Sequence, residues 1–148
     1  MEFERAIERL IARKSEELWA RSAVTVERSV VDRFCEAIGW RGRDADDIPV
    51  AVIAHLFRDS ADVHRDERPR ETIDDALVNP MNGGTEFEFH RRPRIGEMIS
   101  AQSILKDVYS RQGKSGPLGF VVTETNFFDA AGSPIAAQRV TMIYRGVA

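Results

Sequence analysis

At 148 residues the chain is close to the modal size of one domain, and two domains would each be too small to bury an adequate core. Hydrophobic residues at 43% and charged residues at 30% exclude an intrinsically disordered chain, and a net charge of −3 argues against a nucleic-acid partner. No apolar run approaches the roughly 18 residues needed to span a bilayer, and Glu2 opens a charged N-terminus with no signal-peptide core, so a cytoplasmic protein without a membrane partner is expected. With no linker, repeat or low-complexity segment along the chain, residues 1–148 are expected to form a single domain.

The first half reads as helical. Phe3, Ile7, Leu10 and Ile11 lie at helical spacing within residues 3–19, and Leu18 with Trp19 either extend that stripe or begin another element. Ser29 is a candidate N-cap for a second helix, along which Val31, Phe34, Cys35 and Ile38 recur at i, i+3, i+4 and i+7 until Gly39 stops it. Cys35, the single cysteine, excludes an internal disulfide, and its place on that apolar face favours packing over catalysis. A charged loop, WRGRDADD at 40–47, precedes Pro49 and the apolar run VAVIAHLF, which predicts a buried helix at about 49–58. His55 sits in that run, where a core or interface histidine is more common than a catalytic one. Residues 59–70 are polar and aperiodic and read as a surface loop, with a short helix to follow at about 71–78.

The second half changes period. Asn82-Gly83-Gly84 predicts a turn before the alternating TEFEFH, where Phe87 and Phe89 share one face and Glu86 and Glu88 the other. After a turn around Arg92-Pro93-Arg94-Ile95-Gly96 come MISAQSILKDVYSRQ, LGFVVTETNFFD and IAAQRVTMIYR, separated by GKSG and DAAGSP. Connections this short demand antiparallel neighbours, so the expected fold is α+β, an antiparallel meander with a helix packed across one face.

Three segments, in order, resemble the MaoC-like or FAS1-like dehydratase N-terminal domain family: VERSVVDRFCEAIG, NGGTEFEFHRRPRIGEMI and FVVTETNFFDAAGSPIAAQRVTMIYR. The resemblance spans about residues 25–145 and implies a hot-dog fold, an antiparallel β-sheet wrapped around a central helix, acting on acyl-CoA or acyl-carrier-protein thioesters. Active relatives carry D-x-N-P-x-H after the first helix, because hydration at the β-carbon needs an acid/base pair that holds a water. In register with that motif this chain has Trp40 for the aspartate, Gly42 for the asparagine, Arg43 for the proline and Ala45 for the histidine. The resemblance therefore implies a non-catalytic subunit that helps shape the acyl tunnel of a heteromeric (R)-specific enoyl-thioester hydratase, serving fatty-acid or steroid metabolism.

A rival pair, Asp59 and His64, repeats the Asp-to-His spacing about twenty residues downstream, which leaves open an independent homodimeric hydratase. The charge density around it, and the absence of Asn-Pro, weigh against it. His90, Arg91, Arg92 and Arg94 are the candidate substrate-binding residues, since arginine forks suit a CoA phosphate or the acidic surface of a partner. A non-enzymatic acyl-thioester-binding module is the third reading. The histidines and Cys35 have no metal-ligand spacing, no cofactor motif is present, and neither metal nor cofactor is expected.

Overall fold

The structure is a computed structural model that describes residues 2–59, 74 and 76–146. Helix α1 (Glu2–Ala12) leads into strand β1 (Glu17–Thr25), followed by α2 (Arg28–Ile38), a 3-10 turn at Val50–Val52 and α3 (Ile53–Asp59). Four strands complete the chain: β2 (Met81–Phe89), β3 (Met98–Gly113), β4 (Gly116–Phe128) and β5 (Pro134–Arg145). All neighbours are antiparallel, in the order β1-β3-β4-β5-β2, so the meander β3-β4-β5 forms the centre and β1 and β2 form the edges.

Both layers of helix lie on one face of the sheet, over two buried clusters. At one end α1 sets Ala6, Ile7 and Leu10 against Leu105, Val108, Val121 and Tyr144. Gly119 lets α1 sit close there, since a Cβ at that position would come 2.5 Å from Ile7 Cδ1. Acidic Glu2 and Glu4 in the first turn and Arg9 in the last complement the helix dipole. At the other end α2, the 3-10 turn and α3 bury Val30, Val31, Val52, Ile53, Leu56 and Phe57 against Ile99, Ala101, Phe127 and Ala136. The helix laid across the sheet is thus delivered in short pieces.

Several expectations need correcting. The first helix stops at Ala12, because Ser15 takes a left-handed φ of 73° and turns the chain. Leu18 and Trp19 begin another element, strand β1, which alternation alone did not reveal. The residue before α2 is Glu27, in extended conformation and without a side-chain cap; Ser29 lies inside the helix. Val30 takes the buried place next to Val31, and Ile38 is 53% exposed. Gly39 ends α2 as expected, at φ 68°, with its N–H reaching Cys35 and Glu36 carbonyls. Asn82-Gly83-Gly84 is no turn: it lies within β2 as a register shift in the pairing with β5, with Gly84 at φ 152°. The surface loop expected at 59–70 falls, after Asp59, outside the described residues. Of the helix expected at 71–78, residues 74 and 76–78 carry a turn, closed by Leu77 N–H donating to the Asp74 carbonyl.

Candidate functional site

The loop after α2 and the turn between β2 and β3 face each other across an open cleft of about 630 Å³, walled by Asp46 and by Arg91, Arg92, Pro93, Arg94 and Ile95. Asp47 organises the loop side. Its Oδ2 accepts the Arg43 backbone N–H at 2.9 Å and Arg43 Nε at 3.4 Å, and its Oδ1 accepts Arg92 Nη1 at 2.5 Å. The Arg43 N–H foremost, then the two guanidinium groups, hold the Asp47 carboxyl below its ordinary range in spite of its desolvation. The Trp40 indole N–H donates to the Asp47 carbonyl at 2.7 Å, and Arg92 Nη1 also reaches the Ile48 carbonyl at 3.2 Å. The Asp44 carboxylate accepts the Asp46 N–H at 2.9 Å. Gly42 closes the loop, since a Cβ there would meet the Asp47 carbonyl at 2.6 Å.

Arg91 organises the turn side. It grips Glu97 through two contacts, at 3.1 and 2.8 Å, and reaches Asp129 at 3.4 Å. These carboxylates, Glu97 above all, raise the Arg91 guanidinium above its ordinary value. Asp129 in turn accepts the N–H groups of Ala131 and Ser133, which with the Arg91 charge hold its carboxyl low. Glu97 accepts the Arg94 N–H, and Gly96, at φ 84°, donates to the Val26 carbonyl. The 90–97 turn is thereby tied to Val26 just after β1, to the 129–133 turn and to the 40–48 loop.

Of the four residues read as substrate-binding, Arg91 and Arg92 therefore hold internal ion pairs while still lining the cleft. Arg94 lines it with an exposed side chain that makes no hydrogen bond or ion pair among the described residues. His90 is exposed, does not line the cleft, and uses its backbone N–H to bond the Ile135 carbonyl at 2.8 Å. His55, in α3, rests its ring on Phe34 with centroids 4.8 Å apart, as a packing histidine does. Cys35 is half-buried in the core, where burial, then Asp32, raises its thiol. Asp59 is the last residue of α3, and its proposed partner His64 lies outside the described residues.

Over residues 14–138 the sequence matches the family described as FAS1-like, dehydratase domain region. The chain belongs to that family. No curated protein matches it significantly in sequence. In three dimensions this FAS1-like dehydratase domain resembles the ChsH1-ChsH2 complex from Mycobacterium tuberculosis: TM-score 0.63, 15% identity, over 98% of this chain and 92% of that one. It also resembles the C-terminally truncated HadBC (3R-hydroxyacyl-ACP dehydratase) complex of the same organism: TM-score 0.60, 15% identity, 88% and 96% covered. A MaoC-like dehydratase from Rhodospirillum rubrum gives 0.54 at 12% identity, over 91% and 94%. The fold is the hot-dog fold, α+β as expected.

Sequence reasoning did not single out Asp47, Glu97 or Asp129, the three carboxylates that shape the cleft. Only Asp129, heading a D-x-x-G turn, carried a local signal. A further group also escaped it. Glu124, 6% exposed on the opposite face of the sheet, accepts Arg139 Nε at 2.6 Å and Asn126 Nδ2 at 3.3 Å, with Lys106 Nζ 3.5 Å away. Burial pushes its carboxyl up, and these partners together bring it below the ordinary value.

Proposed function

We propose that this FAS1-like dehydratase domain is the non-catalytic, acyl-tunnel-shaping subunit of a heteromeric (R)-specific hydratase or dehydratase acting on enoyl-CoA or enoyl-acyl-carrier-protein thioesters. One observation carries the reading. The loop where active relatives carry their acid/base pair has Trp40 and Ala45 at those positions, and Asp44 and Asp47 are spent on its own backbone and on Arg43 and Arg92. General acid/base hydration needs a carboxylate and an imidazole both free to hold one water, and residues 40–48 contain no histidine. The similarity to ChsH1-ChsH2 and HadBC, each a complex of two named chains, supports a catalytic hot-dog partner for this chain. Within the complex, the cleft beside the 90–97 turn receives the thioester's anionic carrier, with Arg94 placed to meet a phosphate and Arg91 and Arg92 shaping the wall.

The test is turnover of an enoyl-CoA such as crotonyl-CoA, followed by loss of the enoyl absorbance. The purified chain alone is expected to be inactive, and hydration is expected once it is co-expressed with a copurifying subunit that carries D-x-N-P-x-H. Enzyme-like rates from the lone chain sink the reading. If Asp59→Ala and His64→Ala then each abolish that activity, those residues form a displaced active site.

A further inference from the structure

We propose that the helix-bearing face of the sheet selects an acyl chain with a hydroxyl or oxo group at its far end, and that Ser103 receives that group at the end of a polar row through Gln138 and Thr125. That the ligand is an acyl chain rests on the hydratase reading above; the polarity that selects among such chains does not.

This face is apolar at both ends and polar between them. Alternation along β3 turns Ile99, Ala101, Ser103 and Leu105 toward the helices; the first two belong to the cluster under α2 and α3, and Leu105 belongs to the cluster under α1. Strand β4 repeats the pattern, with Thr123 and Thr125 between Val121 of one cluster and Phe127 of the other. In β5, Gln138 and Val140 lie between Ala136 and Met142. The strand registers align Ser103, Thr125 and Gln138 in one row that runs from Trp19 on β1 to Phe87 on β2.

The polar groups of this row have no partners in the fold. Ser103 is 3% exposed, and its hydroxyl makes no hydrogen bond among the described residues. Neither do the side chains of Thr123, Thr125 and Gln138. The contrast is Glu124, the other buried polar side chain among the described residues, which meets Arg139, Asn126 and Lys106. Native structures pair nearly all of their buried polar groups, because a group left alone loses its hydration and gains nothing. A closed-in serine without a partner, in line with two further unpartnered side chains, fits a surface that meets polar atoms from outside the chain.

Burial gives the row a direction. Phe87 at the β2 edge is 36% exposed, Gln138 and Thr125 are half-buried, and Ser103 is closed in. Beyond Ser103, Trp19 packs on Phe57 with ring centroids 6.2 Å apart. The row is therefore open at β2 and shut at β1. From Phe87 to Ser103 it crosses strand spacings of about 4.8 Å, for roughly 14 Å in all, about the length of an extended ten-carbon chain. A saturated chain laid along it strips water from the row and returns no hydrogen bond, whereas an oxygenated tail gives Ser103 a partner.

The probes are decanoic acid and 10-hydroxydecanoic acid, which need neither a thioester nor a partner subunit, with binding to the full wild-type chain read by isothermal titration calorimetry. The hydroxylated chain is expected to bind about tenfold more tightly, since a site built to hydrogen-bond a hydroxyl rejects the analogue that lacks it. Ser103→Ala is expected to erase that preference while leaving the thermal midpoint unchanged or higher, because the hydroxyl it removes holds nothing in the fold. Three results each overturn the proposal: no binding of either acid, a saturated chain held as tightly as the hydroxylated one, or a Ser103→Ala variant whose midpoint falls by several degrees. Turnover by a copurified complex is scored separately. Selective binding with an inactive complex removes the hydratase reading and leaves the polar row standing; an active complex with no preference between the acids does the reverse.

Discussion

The clasp around the cleft and the ladder on the outer face are both made of arginine and carboxylate, yet they act on different kinds of backbone. In the clasp, Asp47, Glu97 and Asp129 each accept backbone N–H groups as well as a guanidinium, because the chain there is irregular and its N–H groups have no sheet or helix partner. In the ladder, strand pairing has already satisfied the backbone, and Glu124, Arg139 and Glu88 meet side chain to side chain. Asp47, Glu97 and Asp129 thus hold the shape of irregular backbone, whereas Glu124, Arg139 and Glu88 form a charged strip across paired strands.

Breaking the clasp is expected to have the larger effect on stability. Removing one partner of a fully buried ion pair costs about 3–5 kcal/mol, and because Arg91 is 29% exposed, Arg91→Ala is expected to cost about 2 kcal/mol in urea unfolding. Arg91→Lys should recover only part of this, since an ammonium cannot span both Glu97 oxygens and Asp129.

The ladder should respond less, and in a pH-dependent way. Glu124→Gln keeps the shape and loses the charge-assisted bond to Arg139, for about 1 kcal/mol near pH 7. The Glu124 carboxyl is held below its ordinary value in the folded chain, so its contribution is complete above the unfolded value of about 4.3 and drains away as pH falls through the folded one. The stability gap between wild type and Glu124→Gln should therefore narrow on acidification, and a gap that stays constant to pH ~3 would refute the assignment of that charge. Smallest of all, Trp40→Phe deletes one indole donor at a position 38% exposed, for about 0.5–1 kcal/mol by thermal unfolding, without altering the ladder.

Much of the architecture was legible in the residues. The three long strands β3, β4 and β5, the short turns between them and the glycine stop of α2 are local signals, and the structure realises each. Strand β1 was hidden because ELWARSAVT sits at a sheet edge, where tertiary pairing with β3 outweighs a weak local pattern. The bulge in β2 was hidden for a related reason: Asn82-Gly83-Gly84 has turn composition, and only pairing with β5 keeps it extended.

The residues at 40 and 45, and the fold class, follow from the sequence by itself, since identity and periodicity need no coordinates. What the loop's carboxylates do was decided only by the tertiary structure. Arg92 meets Asp47 across 45 residues and Arg91 meets Asp129 across 38, distances over which neither period nor spacing carries information. The β2 glutamates show both at once: alternation placed them on one face, and the strand order made that strand an edge.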